Sequence, residues 1–209
     1  MFELSKEEFA VFKKLSSPNK IQDFLDTLAI NHEKRGETCM SPRQVLREKK
    51  AHCLEGALFA ATALWLHGEN PLLLNMETTD IDDDHALALY KRNGYWGAIS
   101  KTNHGVLRFR DPVYRSTREL ALSYFHEYFL TKTGHKTLRA YSRPFSLKRF
   151  GTKWITAEEN LWDIAHALDE STHFSIIPNG FAKHLRPASL TERASGSIAE
   201  WSKKDPRTY

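Results

Sequence analysis

Apolar and polar positions divide the chain into stretches of different character. In the first, apolar residues recur at helical spacing. Ser5 and Glu8 form a capping-box pair beside Leu4, Phe9, Phe12 and Leu15, which predicts a helix over residues 5–15. Ser17-Pro18 sets an N-cap before a proline at the first helical position and opens a helix through Ile21, Phe24, Leu25 and Leu28. Ser41-Pro42 repeats the pair ahead of Val45 and Leu46. Each of the three has one apolar side, as expected of helices that cover something more deeply buried.

Residues 54–66, LEGALFAATALWL, break that pattern, with Glu55 as their one charged residue. A helix apolar on every side is buried centrally. Gly56, Ala57, Ala60, Ala61 and Ala63 are small enough for neighbouring elements to pack closely, and Gly68 ends the segment. The period then changes to that of strands. Residues 72–76 form a short apolar strand, and residues 80–84 an acidic loop. Residues 85–90 and 95–101 flank Asn93-Gly94, a strong hairpin-turn signal. Val106 to Arg110, VLRFR, alternates and reads as a further strand.

Helix returns at Ser116 with Glu119 three residues on, running through Leu120, Leu122, Tyr124, Phe125 and Tyr128. Residues 137–147 read as extended. Thr156 is expected to cap a helix through Leu161, Trp162, Ile164 and Leu168, followed by a strand at residues 174–177. Beyond Pro178 the chain is rich in Pro, Gly, Ser and charge, so residues 178–209 are expected to form a loosely packed tail with a short helix near residues 198–201. The order predicts an α+β fold: a central buried helix packed on a mainly antiparallel sheet, with flanking helices gathered on one side. Residues 1–177 are expected to form a single domain.

Composition alters this little. At 209 residues, the chain can bury a full core without disulfides. No apolar run is long enough to span a membrane, and the start, MFELSKEE, lacks the basic and apolar regions of a secretory signal. The expected compartment is therefore the cytoplasm. A net charge of +4, with basic residues scattered among acids, argues against a nucleic-acid partner. The residues imply no cofactor. The aspartates of residues 80–84 lack the spacing of a calcium loop, and Cys39 with Cys53 lacks a zinc spacing.

The chemistry lies with one of the two cysteines. The thiolate is the reactive form, and a helix N-terminus stabilises an anion. Cys53 stands at the N-terminal edge of the buried helix. His85, at the start of a strand after a polar loop, is placed to act as its base. The blander reading of Cys53 is a small buried residue of an apolar helix. His52 and His104 read as surface residues or satisfied hydrogen-bond partners, and Arg108, Arg110 and Arg115 as holders of an acidic substrate or solvent-facing positions.

Cys53-Leu54-Glu55-Gly56, His85-Ala86-Leu87 and Gly94-Tyr95-Trp96 together resemble the transglutaminase-like superfamily, over roughly residues 36–141. The resemblance implies a papain-like core and a Cys-His-Asp triad, with hydrolase or acyltransferase chemistry on an amide through a Cys53 thioester. A peptide or protein would be the substrate. His85 would take the thiol proton and return it to the leaving amine. In that family an aspartate follows the hairpin tryptophan by four positions, where this chain has Ser100. A tight turn at Asn93-Gly94 pairs Leu87 with Ser100 and sets Ser100 diagonal to His85. Three residues are therefore open as the orienting group: Ser100, Asn103 and Asp111. Asp111, the nearest downstream carboxylate, is the expected one. It reaches His85 only if a loop near residues 103–108 is long enough to bring it opposite Ser100. The missing family aspartate also motivates a second expectation, a non-catalytic domain that binds a peptide or partner protein.

Overall fold

The computed structural model describes residues 2–204. Met1 and residues 205–209, the end of the expected tail, lie outside the described residues. Helices α1 (Lys6–Lys14), α2 (Pro18–Thr27) and α3 (Pro42–Glu48) begin at the serines read from sequence, each of which accepts a hydrogen bond from the backbone N–H three residues on. Strand β1 (Ala29–Ile30) pairs in parallel with β2 (Lys50–Ala51), and α4 (Cys53–Leu66) follows at once. Strands β3 (Leu72–Glu77), β4 (His85–Arg92), β5 (Tyr95–Ile99) and β6 (Arg110–Tyr114) lead to α5 (Thr117–Tyr124). Then come β7 (Ala140–Ser142), β8 (Phe145–Ser146), α6 (Trp162–Asp169), β9 (His173–Ser175) and α7 (Leu190–Gly196).

Seven strands form one antiparallel sheet in the order β6-β5-β4-β3-β7-β9, with β8 also paired to β3. Side chains of β4 alternate between two cores. Ala86, Ala88 and Tyr90 face α4 and the N-terminal helices, whereas Leu87 and Leu89 join Leu120, Ala121 and Tyr124 of α5 on the opposite face. Both faces of the sheet are therefore covered, which corrects the expectation of helices on one side only. The α+β class stands, and among the described residues no helix is long and apolar enough to cross a membrane.

The Asn93-Gly94 turn has the positive φ values, 51° and 86°, of the hairpin type its sequence signals, and it sets the register Arg92↔Tyr95 to Ala88↔Ile99. Elsewhere local pattern yields to packing. Most of VLRFR is a loop, because Leu107 takes a left-handed φ of 61° and its N–H is claimed by the Glu127 carboxylate at 2.7 Å. The helix after Ser116 ends at Tyr124, short of Tyr128. Thr156 closes a short 3-10 turn instead of capping α6, which starts after Leu161.

Small residues let α4 approach its neighbours. Lys101, wholly buried, runs over Gly56 and donates from Nζ to the carbonyls of Leu28 (2.6 Å) and Leu25 (3.0 Å) at the end of α2. A Cβ on Gly56 would overlap the Lys101 Cβ. Alanine is favoured over glycine within a helix by about 1 kcal/mol, while overpacking a tight site costs about 1–3 kcal/mol. Because a Cβ cannot swing aside, the overlap takes the upper part of that range, about 2–3 kcal/mol, and Gly56→Ala is expected to destabilise the protein by about 1–2 kcal/mol net, measured by urea unfolding. An unchanged or higher midpoint would contradict this packing.

Candidate active site

Cys53 is the first residue of α4 and His52 is its N-cap. Glu55, at the third helical position, is wholly buried, and every contact on its oxygens comes from a donor. Oε1 accepts from the Thr38 hydroxyl (2.7 Å) and Met40 N–H (3.0 Å), and Oε2 from His52 N–H (2.9 Å) and Asn31 Nδ2 (3.1 Å). That donor set suits a carboxylate, which only accepts. It holds residues 31–40 against the helix start.

His52 is fixed at both ring nitrogens. Nε2 lies 2.9 Å from the Thr38 carbonyl and 3.4 Å from Glu55 Oε1, and both oxygens can only accept, so Nε2 carries a proton. Nδ1 accepts the Leu54 N–H at 3.2 Å. His85, which lines the same cavity as Cys53, is buried at the start of β4. Its Nε2 is 2.8 Å from Ser100 Oγ, and the Ser100 hydroxyl donates its single proton to the Leu107 carbonyl at 2.5 Å. Ser100 therefore accepts from His85 Nε2–H, which leaves Nδ1 as the basic nitrogen.

Cys53 shares the wall of one cavity with His52 and His85, and its thiol donates to the Asp84 carbonyl at 3.9 Å. Burial alone pushes the Cys53 thiol up. The neighbouring imidazoles, His52 first and His85 second, outweigh it and hold the thiol well below its ordinary range. Burial likewise opposes charge on His52, but its bond to Cys53 and the Glu55 charge raise it to about 10. Cys39 is the contrast. Wholly buried, it is pushed up to about 12 by burial first and by the Glu55 charge second.

Of the three residues open as the partner of His85, the structure brings Ser100 to it. Asp111 does not reach the site. Arg110 pairs with Ala98, so Asp111 follows on an exposed part of β6, close enough to Tyr90 for its charge to be felt there. The long connection from Ser100 to Phe109 folds back and delivers the Leu107 carbonyl where the carboxylate was expected. That carbonyl also accounts for a serine at position 100, because an aspartate there would set a carboxylate against a carbonyl oxygen. Asn103 faces elsewhere, with Oδ1 accepting from Trp201 N–H (2.8 Å) and Nδ2 donating to the Trp201 carbonyl (3.0 Å). Arg108 and Arg110 are engaged by Glu200 (2.7 Å) and Glu127 (2.6 Å).

A cavity of about 930 Å³ opens over the cysteine, walled by His52, His85, Leu107, Tyr128 and Trp201 among others. The segment expected to be a loose tail crosses this cavity. It is largely exposed, yet Gly105 N–H donates to the Ile198 carbonyl (2.8 Å), Glu200 N–H donates to the Asn103 carbonyl (2.9 Å), and Gly196 packs on Phe129. Its helix is α7, upstream of residues 198–201. Sequence reading missed His52, although its spacing to Glu55 is that of a capping box with histidine in the cap position.

No protein-family model matches the chain, and no curated protein matches it. The geometry carries its own test. At neutral pH, iodoacetamide is expected to alkylate Cys53 in the folded protein and leave Cys39 unmodified, as read by peptide mass spectrometry. Equal labelling of both, or labelling of Cys53 only at alkaline pH, would contradict the lowered thiol.

Proposed function

We propose that the protein is a transglutaminase-like cysteine hydrolase or acyltransferase with a papain-like core, acting on an amide or peptide bond through a thioester on Cys53. The observation that carries this reading is the meeting of Cys53 and His85 in one cavity, with His85 Nε2 held 2.8 Å from Ser100 Oγ. A nucleophile, a base at the sulfur and a third group orienting that base are the parts acyl transfer needs. The helix start supplies N–H groups and a dipole that favour negative charge on the sulfur and on an acyl oxygen.

In this reading Cys53 Sγ attacks the acyl carbon, and the thiol proton, taken up by an imidazole at the sulfur, leaves with the amine. Water then gives a proton to His85 Nδ1 as its oxygen adds to the thioester. Collapse expels the sulfur and releases the acid, and the proton gained from water replaces the one lost with the amine. An amine in place of water completes a transfer. Ser100 orients His85 but supplies no charge to an imidazolium, so His85 works with less support than a carboxylate would give.

A second reading, a non-catalytic domain that binds an extended peptide or a partner protein, draws on the backbone pairing of residues 198–201 with residues 103–105 across the cavity. Chains recognised by strand addition are held in this manner. The two readings separate on turnover. Hydrolysis of a fluorogenic peptide or amide panel is expected, absent in Cys53→Ala and reduced about 10- to 100-fold in kcat by Ser100→Ala, below the roughly 100- to 10,000-fold that the acid–base group itself contributes because Ser100 only orients it. Glu200→Lys, which turns the Arg108 pair into a repulsion, is expected to raise kcat/KM by freeing the cavity mouth. Peptide binding without turnover in the wild type would favour the second reading.

A further inference from the structure

Two imidazoles and one sulfur line the same cavity, and the surroundings of the two rings differ. In each ring Nε2 holds its proton against an acceptor, and Nδ1 is basic. The acceptor behind His85 is the neutral hydroxyl of Ser100 (2.8 Å). The acceptors behind His52 are the Thr38 carbonyl (2.9 Å) and the buried Glu55 carboxylate (3.4 Å), with Glu33 Oε1 at 3.7 Å. A positive ring beside a buried carboxylate is favoured over one beside a hydroxyl, because the low-dielectric surroundings strengthen the attraction.

We infer that His52, backed by Glu55, takes the thiol proton and holds Cys53 as a thiolate at rest, which leaves His85 Nδ1, with Nε2 bound to Ser100, as the base for the attacking water or amine. The inference rests on the proposed acyl-transfer reading and divides its labour between the two histidines. In the resting step the Sγ–H bond breaks and an Nδ1–H bond forms on His52. The Leu54 N–H then loses its acceptor on Nδ1 and becomes available to the negative sulfur. The proton held on His52 is the one that leaves with the amine.

Other groups around the pair set the balance. From the loop ahead of β4, the Asp84 carbonyl lies 3.9 Å from Sγ, and the Asp82, Asp83 and Asp84 side of the cavity opposes a thiolate. Tyr128 borders the same cavity, with burial holding its hydroxyl well above the usual range, so it contributes no charge. Cys39, pushed up by burial, likewise stays a neutral thiol. Glu33 and Glu55 on the far side of His52 are thus the charges that favour the imidazolium.

The test is the pH profile of Cys53 alkylation in the full chain. His52→Asn is the chosen variant because asparagine is a good N-cap whose amide oxygen can still accept the Leu54 N–H. It is expected to move the alkylation midpoint up by about two pH units, which is about 100-fold less thiolate in mildly acid solution. His85→Ala is expected to keep the wild-type midpoint while losing turnover. Glu55→Gln, checked for folding by circular dichroism, is expected to shift the midpoint in the same direction as His52→Asn. The inference is overturned if His52→Asn keeps the acid midpoint and His85→Ala loses it. Alkylation needs no substrate, so an acid midpoint that moves with His52, in a protein that hydrolyses nothing, would sink the hydrolase reading alone.

Discussion

The chemistry at Cys53 depends on how one buried carboxylate is satisfied. Glu55 sits where its own helix starts, and four donors from residues 31, 38, 40 and 52 converge on its two oxygens. Removing a partner from such a group leaves a buried charge uncompensated, at a cost of about 3–5 kcal/mol. The network therefore ties the segment before α3 to the N-terminus of α4 and fixes the His52 ring through its backbone and Nε2. The apolar remainder of α4, packed on Ala86 and Ala88 of β4, makes the helix start a rigid platform for the sulfur.

At His85 the device is a strained loop. Leu107 adopts a left-handed backbone that costs a non-glycine residue on the order of 1 kcal/mol or more. Its N–H is held by Glu127, itself paired with Arg110. The carbonyl then takes the only proton Ser100 can offer, which commits Ser100 to accepting from His85. Strain in the loop is thus converted into a fixed tautomer of the base. The serine supplies orientation where a carboxylate would also supply charge, and the charge in this site comes from Glu55 by way of His52.

Features set by neighbours in sequence were legible. The three serine caps, the all-apolar helix with Cys53 at its start, and the Asn93-Gly94 hairpin each follow from residues a few positions apart. The hairpin also carried the placement of Ser100 beside His85, since two positive-φ residues fix the register. What depended on distant partners was not legible. The alternation of VLRFR suggested a strand, but Glu127 captures the Leu107 N–H and turns the segment into a loop, which leaves Asp111 beyond reach of His85. His52 read as a bland histidine because Thr38, which helps orient it, lies fourteen positions upstream. The polar segment after Pro178 gave no sign that Asn103 would bracket the Trp201 peptide with both its amide atoms.

The central claim is that the helix start and the Glu55-backed His52 imidazole keep Cys53 ionised in the folded protein. Ultraviolet thiolate absorbance, taken as the difference between wild type and Cys53→Ser through a descending pH series, reports this without substrate or label. The account predicts a thiolate signal at neutral pH that persists into mildly acid solution and disappears on unfolding. A difference signal that rises only above about pH 8, as for an unperturbed thiol, would contradict it.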